Sequence, residues 1–171
     1  MNYSILSLDG GGSWALLQAA ALGVLHGHDT PGRELLRNYQ FVAANSGGSL
    51  VLAALLENQS PRQITNLFCD ESRRRAIFKN KGYSFLTRWL GIGPRYRSAA
   101  KLVALRGILP KTGPSLLKEL GGVDDLPHIL IMGYDYDRNR AAFFRSYTHS
   151  HTTSSNQSDI TLAEAAHASS N

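Results

Sequence analysis

The amino-acid sequence predicts an α/β fold built on a mainly parallel sheet. Two short uncharged runs, residues 3–8 and 40–44, have the length and apolar content of strands. Each is followed by small residues and then by an apolar, helix-forming segment, so the order is strand, helix, strand. Because such crossovers are right-handed, the two strands are expected to be parallel. The chain has 171 residues, of which 43% are hydrophobic, which is enough for the core of about one domain.

The first strand ends in a glycine-rich turn, Asp9-Gly10-Gly11-Gly12. Residues 13–25 follow it and are predicted to form a helix that is buried, because it is apolar on nearly every face. Three consecutive glycines allow successive amide groups to converge on one anion, and the positive end of a helix dipole adds to the attraction. The residues alone leave three interpretations open: an oxyanion hole, a phosphate site and a simple connection between strand and helix.

Two nucleotide-binding motifs can be compared with this turn. The P-loop does not fit, because no Gly-Lys-Ser/Thr follows the glycines. The dinucleotide pattern Gly-x-Gly-x-x-Gly/Ala does fit residues 10–15, and Asp29 lies about 20 residues further on. However, that motif requires residues 22–28 to be the second strand, and nothing between Ala15 and Leu22 predicts a turn. The dinucleotide interpretation is therefore disfavoured.

Ser46 lies at the turn between the second strand and the apolar segment of residues 50–56. The local sequence Ala44-Asn45-Ser46-Gly47-Gly48 keeps the second glycine of the nucleophile elbow Gly-x-Ser-x-Gly and has alanine for the first. Such a bend exposes the serine hydroxyl at the end of a sheet, beside a helix N-terminus that favours negative charge. The alternative is an ordinary loop or helix N-cap. Because parallel strands end at the same edge, Ser46 and the glycine turn are expected to lie close together.

The remaining elements follow from shorter signals. Ser60 and Pro61 form an N-cap and first-turn pair that predicts a surface helix over residues 60–68. Residues 127–134 and 141–147 are predicted to be the two strands of a hairpin. Thr161 and Glu164 have the spacing of a capping box that begins the last helix, and residues 150–158 are predicted to be a polar loop.

Residues 70–111 are strongly basic and rich in aromatic residues. Eleven basic residues face only two acidic ones there: Arg73, Arg74, Arg75, Lys79, Lys81, Arg88, Arg95, Arg97, Lys101, Arg106 and Lys111. Interleaved rings suit a membrane interface, so we expect a lid-like region that contacts an anionic membrane. An RNA-binding surface and a solvated helical face are the alternatives. No RNA-binding signature is present, so nucleic acid is not predicted as a partner.

Composition limits the cellular setting. The net charge of +5 suits an anionic surface without identifying one. Cys69 is the only cysteine, so no intrachain disulfide can form, and a reducing, cytoplasmic compartment is favoured. The Cys69 side chain is expected to be buried as a small hydrophobic group. No signal peptide is apparent, and no uncharged apolar stretch reaches the roughly 18 residues that span a bilayer. Membrane contact is therefore expected to be peripheral. His26 and His28 do not form a metal-ligand pattern, so no metal or cofactor is predicted.

The glycine turn and the Ser46 segment, in this order and spacing, resemble the patatin-like phospholipases. Residues 165–170 are also similar to the Ala-x-x-Ala-Ser stretch of that family. The resemblance implies a three-layer α/β/α sandwich and a lipid acyl hydrolase, of phospholipase A type or a broad esterase. It assigns Ser46 as the nucleophile and Gly10, Gly11 and Gly12 as oxyanion donors. The chain departs from the family at Trp14, where Arg or Lys is usual, and at Ala15, where Gly is usual.

The resemblance also implies a Ser-Asp dyad whose aspartate lies in an Asp-Gly-Gly or Asp-Gly-Ala turn well after the last helix. No aspartate after Ser46 precedes glycine, Asp135 and Asp137 fall in the hairpin turn, and His167 is an alternative base. We therefore expect residues 1–171 to be the N-terminal part of a single patatin-like domain, inactive without the following segment. The alternative from another functional class is a non-catalytic lipid- or nucleotide-binding module.

Overall fold

The four strands form one sheet in sequence order. The structure, a computed structural model, describes residues 3–71, 95–135, 137–147 and 159–170, without the side chains of residues 95–100. The order is β1-β2-β3-β4; β1, β2 and β3 are parallel, and β4 is antiparallel to β3. Their bounds are Ile5–Leu8 (β1), Phe41–Asn45 (β2), His128–Asp135 (β3) and Arg140–Arg145 (β4). The mainly parallel sheet and the hairpin are therefore confirmed.

Seven α-helices are described, together with one 3₁₀ turn that follows the glycines. The 3₁₀ turn is Gly12–Ala15, and the helices are Leu16–His26 (α1), Gly32–Leu36 (α2), Ser46–Leu56 (α3), Pro61–Cys69 (α4), Arg95–Ile108 (α5), Leu117–Leu120 (α6) and Leu162–Ser169 (α7). The helices predicted after each of the first two strands are present. Residues 72–94, which hold most of the basic aromatic region, and the predicted polar loop of residues 150–158 lie outside the described residues.

Helix α3 is the centre of the core. Every residue from Gly47 to the end of the helix at Leu56 is buried, because the segment is apolar or small on all sides. It contacts β1, β2 and β3 beneath it and is surrounded by α1, α2, α4 and α7. The sheet face that carries Leu8, Ala44 and Ile131, which are adjacent in register, is also buried. A helix packed on all sides gives its first residue, Ser46, a fixed position.

Helix α1 corrects one prediction, since only one of its faces is buried. Ala19, Leu22 and Gly23 are buried, whereas Leu17, Val24 and Leu25 are 57%, 77% and 73% exposed. The prediction of a fully buried helix was wrong because an apolar composition shows what a helix can bury and not how many of its faces have a neighbour. The result is an exposed apolar stripe on a helix that begins beside the glycine turn.

The helix starts follow the predicted capping signals. The Ser60 hydroxyl accepts a hydrogen bond from the Gln63 N–H, and Thr161 does the same for the Glu164 N–H; both helices have complete capping boxes. Cys69, at the end of α4, is exposed, so the expectation of a buried thiol was wrong. None of the described helices combines the length and the hydropathy needed to cross a membrane.

Candidate active site

Ser46 occupies a strained bend between β2 and α3. Asn45 has extended backbone angles (φ −140°, ψ 155°), and Ser46, the first residue of α3, has φ 46°. A positive φ in a residue other than glycine costs on the order of 1 kcal/mol or more and persists only where the surroundings hold it. This is the kind of strand-to-helix bend that exposes a nucleophilic serine at the top of a sheet.

The glycine turn lies directly against this bend. A Cβ atom built on Gly10 would be 3.1 Å from the Ser46 Cβ and 2.7 Å from the Asn45 Oδ1. Gly11 and Gly12 have φ 145° and 57°, values that glycine adopts readily and other residues rarely adopt. The structure therefore brings Gly10 beside Ser46 and Gly12 beside Gly47, the residue that follows Ser46, while Gly11 lies between the two glycines in the turn.

Two further glycines allow α3 to approach β1 and the turn closely. A Cβ on Gly48 would be 2.0 Å from the Leu8 carbonyl oxygen, and one on Gly47 would be 2.4 Å from the Gly12 carbonyl oxygen. Both positions therefore exclude any side chain. Ala44, which replaces the first glycine of the elbow motif, is in β2 with its methyl group in the core, so this departure fits the strand.

The amide groups of the glycine turn are available to an anion. Within the described part of the chain, no hydrogen bond is donated by the N–H groups of Gly10, Gly11 and Gly12. The turn is fixed instead through other atoms: the Gln18 Nε2 donates to the Asp9 carbonyl oxygen at 2.6 Å, and the Trp14 N–H donates to the Gly11 carbonyl oxygen at 3.1 Å. The N-terminus of α3 adds positive potential at the same place. The arrangement suits a negative charge that develops beside Ser46.

Two serine hydroxyls hold the backbone of Ser46. The Ser169 Oγ, at the end of α7, accepts a hydrogen bond from the Ser46 N–H at 2.8 Å and donates to the Met132 carbonyl oxygen at 2.5 Å. The Ser49 Oγ donates to the Ser46 carbonyl oxygen at 2.6 Å. The sequence analysis did not identify either residue as part of the site. The signal available was the Ala-x-x-Ala-Ser stretch, in which Ser169 is the serine.

The described residues place no carboxylate or imidazole in hydrogen-bonding contact with the Ser46 hydroxyl. Asp135, at the end of β3, accepts a hydrogen bond from the Arg138 N–H and lies 3.7 Å from its guanidinium. His167 lies on α7, two residues before Ser169. The geometry therefore does not identify a general base for Ser46.

The dinucleotide-binding arrangement is not formed. Residues 22–26 continue α1, and β2 begins only at Phe41. Asp29 lies beyond the far end of α1, about 16 Å along an 11-residue helix from the glycine turn, and it forms a bidentate ion pair with Arg62. An acidic residue in that position cannot reach a ribose bound at the glycines.

The described basic residues near the site make local contacts. Lys101, on α5, donates from its Nζ to the Ser170 carbonyl oxygen beside the end of α7, and burial lowers the pKa of this lysine. Arg106 lies 3.5 Å from Glu164. Trp14, which stands where the resembled family has Arg or Lys, is 71% exposed. In the described ranges, no group of three or more His, Cys, Asp or Glu side chains is arranged to hold a metal.

The chain is similar to known proteins in sequence pattern and in fold. A family model described as patatin-like phospholipase matches residues 6–171. The type III effector protein ExoU has a similar fold, with 16% identity and a TM-score of 0.54 over 98% of this chain and 39% of ExoU. ExoU in its heterodimeric complex with SpcU, from the type III secretion system of Pseudomonas aeruginosa, has 17% identity and a TM-score of 0.50, over 98% of this chain and 36% of ExoU.

The chain thus spans less than two fifths of the ExoU chains, and at this identity the similarity shows the fold alone. A search of curated proteins finds no match. The fold similarity and the family match confirm the predicted fold class, a three-layer α/β/α sandwich of patatin type with a mainly parallel sheet. The match over residues 6–171 shows that the chain belongs to the patatin-like phospholipase family.

Proposed function

We propose that the protein is a serine acyl hydrolase that cleaves lipid esters. Membership of the patatin-like phospholipase family supports lipid ester hydrolysis as the class of reaction. The observation that supports the assignment of residues is the close approach of Gly10, the first glycine of the turn, to Ser46, a serine on a strained bend. Such a constellation matches the needs of acyl transfer, in which a nucleophile and an oxyanion site must lie about 3 Å from the same carbonyl group.

In the proposed reaction, the Ser46 Oγ attacks the ester carbonyl carbon while a base removes the hydroxyl proton. The carbonyl oxygen becomes an oxyanion that accepts hydrogen bonds from the amides of Gly10, Gly11 and Gly12. The intermediate then collapses, the C–O bond to the alcohol breaks, and the base returns the proton to the leaving alcohol. Water attacks the acyl-serine by the same steps, which releases the fatty acid and regenerates Ser46.

The proposed base is an aspartate in a segment that follows residue 171, as the family resemblance implies. A protein that consists of residues 1–171 alone should then hydrolyse esters no faster than background, and addition of the following segment should restore turnover. Ordinary enzymatic turnover by residues 1–171 alone would exclude this dyad, and His167 would become the first residue to replace.

The assignment of Ser46 is tested by Ser46→Ala in the complete protein. Alanine tolerates a positive φ about as well as serine, so the variant removes the hydroxyl and leaves the bend. Ester cleavage and labelling by a fluorophosphonate probe should both be lost, with unchanged thermal unfolding. Ser170→Ala is the matched control, because among the described residues the Ser170 hydroxyl hydrogen-bonds to the Ala166 carbonyl oxygen of the adjacent helix α7 and to no other group. Unchanged turnover of a short-chain ester by Ser46→Ala contradicts the proposal.

A non-catalytic lipid- or nucleotide-binding module is the alternative function. It uses the same exposed amides of the glycine turn to bind an anionic group without a reaction at Ser46. If the complete protein binds lipid vesicles but its Ser46 is not labelled by a fluorophosphonate, this alternative replaces the hydrolase.

We also propose that the protein meets its substrate at an anionic lipid surface, as a peripheral protein. The net charge of +5 supports contact with an anionic surface. The exposed apolar stripe of α1 supports contact with the lipid itself, since residues 10–28 carry no Asp, Glu, Lys or Arg except Asp29 beyond their end. The basic region of residues 73–106 is expected to contribute, at about 1 kcal/mol per cation near the surface.

Vesicle binding tests this contact. Binding should weaken as salt rises and should be weaker for neutral than for anionic vesicles. Val24→Asp, in the stripe, should weaken binding and leave the hydrolysis of a soluble ester unchanged. Val123→Asp is the matched control, because Val123 is an exposed valine that lies outside both α1 and residues 73–106. Equal binding to neutral and anionic vesicles, or equal effects of the two substitutions, contradicts the proposal.

A further inference from the structure

The side chain of Ser169, in the last helix, hydrogen-bonds directly to the backbone of Ser46. The two residues are 123 positions apart in the sequence, and the hydrogen bond from the Ser46 N–H to the Ser169 Oγ is 2.8 Å long. The hydroxyl has a single proton, which it donates to the Met132 carbonyl oxygen. The Ser169 hydroxyl therefore joins the bend at Ser46 to β3, because it accepts one hydrogen bond from Ser46 and donates another to Met132.

This connection satisfies a group that the helix itself leaves unpaired. The first N–H groups of an α-helix have no partner within the helix, and Ser46 is the first residue of α3. Helix α7 supplies the partner from outside. The end of α7 is in turn held in place, because Lys101 donates from its Nζ to the Ser170 carbonyl oxygen.

Ser46, whose N–H is paired by Ser169, is also the residue whose backbone is strained. Ser46 has φ 46°, a conformation that needs external support in a residue other than glycine. Its N–H is held by Ser169 and its carbonyl oxygen by the Ser49 hydroxyl. The Ser49 Oγ is also 3.5 Å from the Ala166 carbonyl oxygen of α7, but neither of these two contacts reaches β3. Ser169 makes the two hydrogen bonds that join Ser46 to β3.

We propose that Ser169 is a positioning residue for the nucleophile: its hydroxyl holds the Ser46 backbone in the left-handed conformation that directs the Ser46 side chain towards the glycine turn. This inference rests on the proposed hydrolase function. Ser169 does not touch the substrate; it acts through the geometry of Ser46. Helix α7 is thereby part of the catalytic apparatus.

The test uses the complete protein and three variants of Ser169. Ser169→Ala removes the acceptor, Ser169→Thr keeps the hydroxyl, and Ser169→Cys keeps the approximate shape with a weaker acceptor. Displacement of a reacting group by about 1 Å costs about 100-fold, so Ser169→Ala should slow fluorophosphonate labelling of Ser46 and lower kcat for a soluble ester by about 10- to 100-fold. KM should change little, and Ser169→Thr should stay near the wild-type rate.

Two further readouts separate positioning from other roles. The pH profile of labelling should keep its midpoint in Ser169→Ala, because Ser169 is not the base. Hydrogen exchange of the Ser46 amide should be faster in Ser169→Ala than in the wild-type protein, a measurement that does not depend on catalysis. Ser170→Ala, one residue further, should match the wild-type protein in both readouts.

The outcomes are distinguishable. If wild-type Ser46 is labelled and Ser169→Ala is labelled at the same rate, the positioning role is overturned. If Ser169→Ala does not fold, Ser169→Cys replaces it: labelling slower than that of Ser169→Thr supports the role, and equal labelling overturns it. If wild-type Ser46 is not labelled, the proposed function fails, and amide exchange at Ser46 alone decides whether Ser169 holds the bend.

Discussion

Gly10 is the position where one added methyl group tests the proposed site most directly. In the structure, a Cβ at Gly10 would lie 2.7 Å from the Asn45 Oδ1 and 3.1 Å from the Ser46 Cβ. Ordinary van der Waals contact begins at about 3.4 Å, so the methyl group is about 0.3 to 0.7 Å too close to its two neighbours. Gly10 has no positive φ, and the effect of Gly10→Ala is therefore steric only.

The expected magnitude follows from this displacement. The Asn45 Oδ1 is the end of a side chain that can rotate away, so the glycine turn must move away from the Ser46 Cβ by about 0.3 Å. That shift is a large part of the roughly 0.5 Å tolerance within which catalytic groups have to be held. Loss of one oxyanion donor lowers kcat by about 100- to 1000-fold, or about 2.7 to 4 kcal/mol of transition-state stabilisation. We expect Gly10→Ala to fall near the lower end of this range, at about 100-fold, because the turn is displaced and not removed.

The assay is the second-order rate constant of fluorophosphonate labelling of Ser46 in the complete protein, with urea unfolding measured in parallel. Gly12→Ala is the informative comparison: a Cβ there meets nothing within 4 Å, but the residue has φ 57°. It should lose about 1 to 2 kcal/mol of stability and less of the labelling rate than Gly10→Ala. Gly107→Ala, in α5 with open space around its Cβ, is the control for the labelling rate; in urea unfolding it should be as stable as the wild-type protein or about 0.5 to 1 kcal/mol more stable. A wild-type labelling rate in Gly10→Ala would refute the reasoning.

The remaining predictions concern stability. Gly48→Ala places a methyl group 2.0 Å from the Leu8 carbonyl oxygen, a backbone atom that cannot rotate away, so urea unfolding should show a loss of about 1 to 3 kcal/mol or more; an unchanged midpoint contradicts this. Thr161→Ala removes the cap of α7 and should cost about 1 kcal/mol at pH 7. The hydrogen bond from the Thr161 hydroxyl lowers the pKa of Glu164 in the folded protein below its unfolded value, near 4.5. The stability that this hydrogen bond contributes is therefore fully present above pH 4.5 and is lost as the pH falls through the pKa of Glu164 in the folded protein. Thermal unfolding at pH 7 and pH 3 should show a smaller difference between Thr161→Ala and wild type at pH 3; an equal difference contradicts the assignment.

Much of the site could be predicted because its parts are local. The strands end where small residues begin, and parallel strands end at one edge, so the neighbourhood of Gly10 and Ser46 followed from the order of two motifs. The positive φ of Ser46 could be anticipated only as a property of the elbow motif. The capping boxes at Ser60 and Thr161 were equally local, since each uses residues three positions apart.

The features that were missed depend on distant neighbours. The contact between Ser46 and Ser169 spans 123 positions, and no periodicity or spacing within either segment encodes it. The exposure of Val24 and Leu25 was missed for the same reason, because burial of the second face of a helix depends on whether another element lies there. Cys69 is exposed because it lies in the last turn of α4, where a side chain can face away from the core.

Packing and chemistry depend on the same atoms at the start of α3. Gly47 and Gly48 let the helix approach the Gly12 and Leu8 carbonyl oxygens, and this close approach brings the glycine turn within contact of Ser46. Side chains at these two glycines would push the helix away from β1 and would separate Ser46 from the glycine turn by the same movement. Ser169 then opposes the strain that the tight bend imposes on the Ser46 backbone, by fixing its N–H to β3. The sheet, the glycine turn and the last helix therefore all meet at Ser46. A change in any one of these elements would alter the backbone of Ser46 and, with it, the position of the Ser46 hydroxyl.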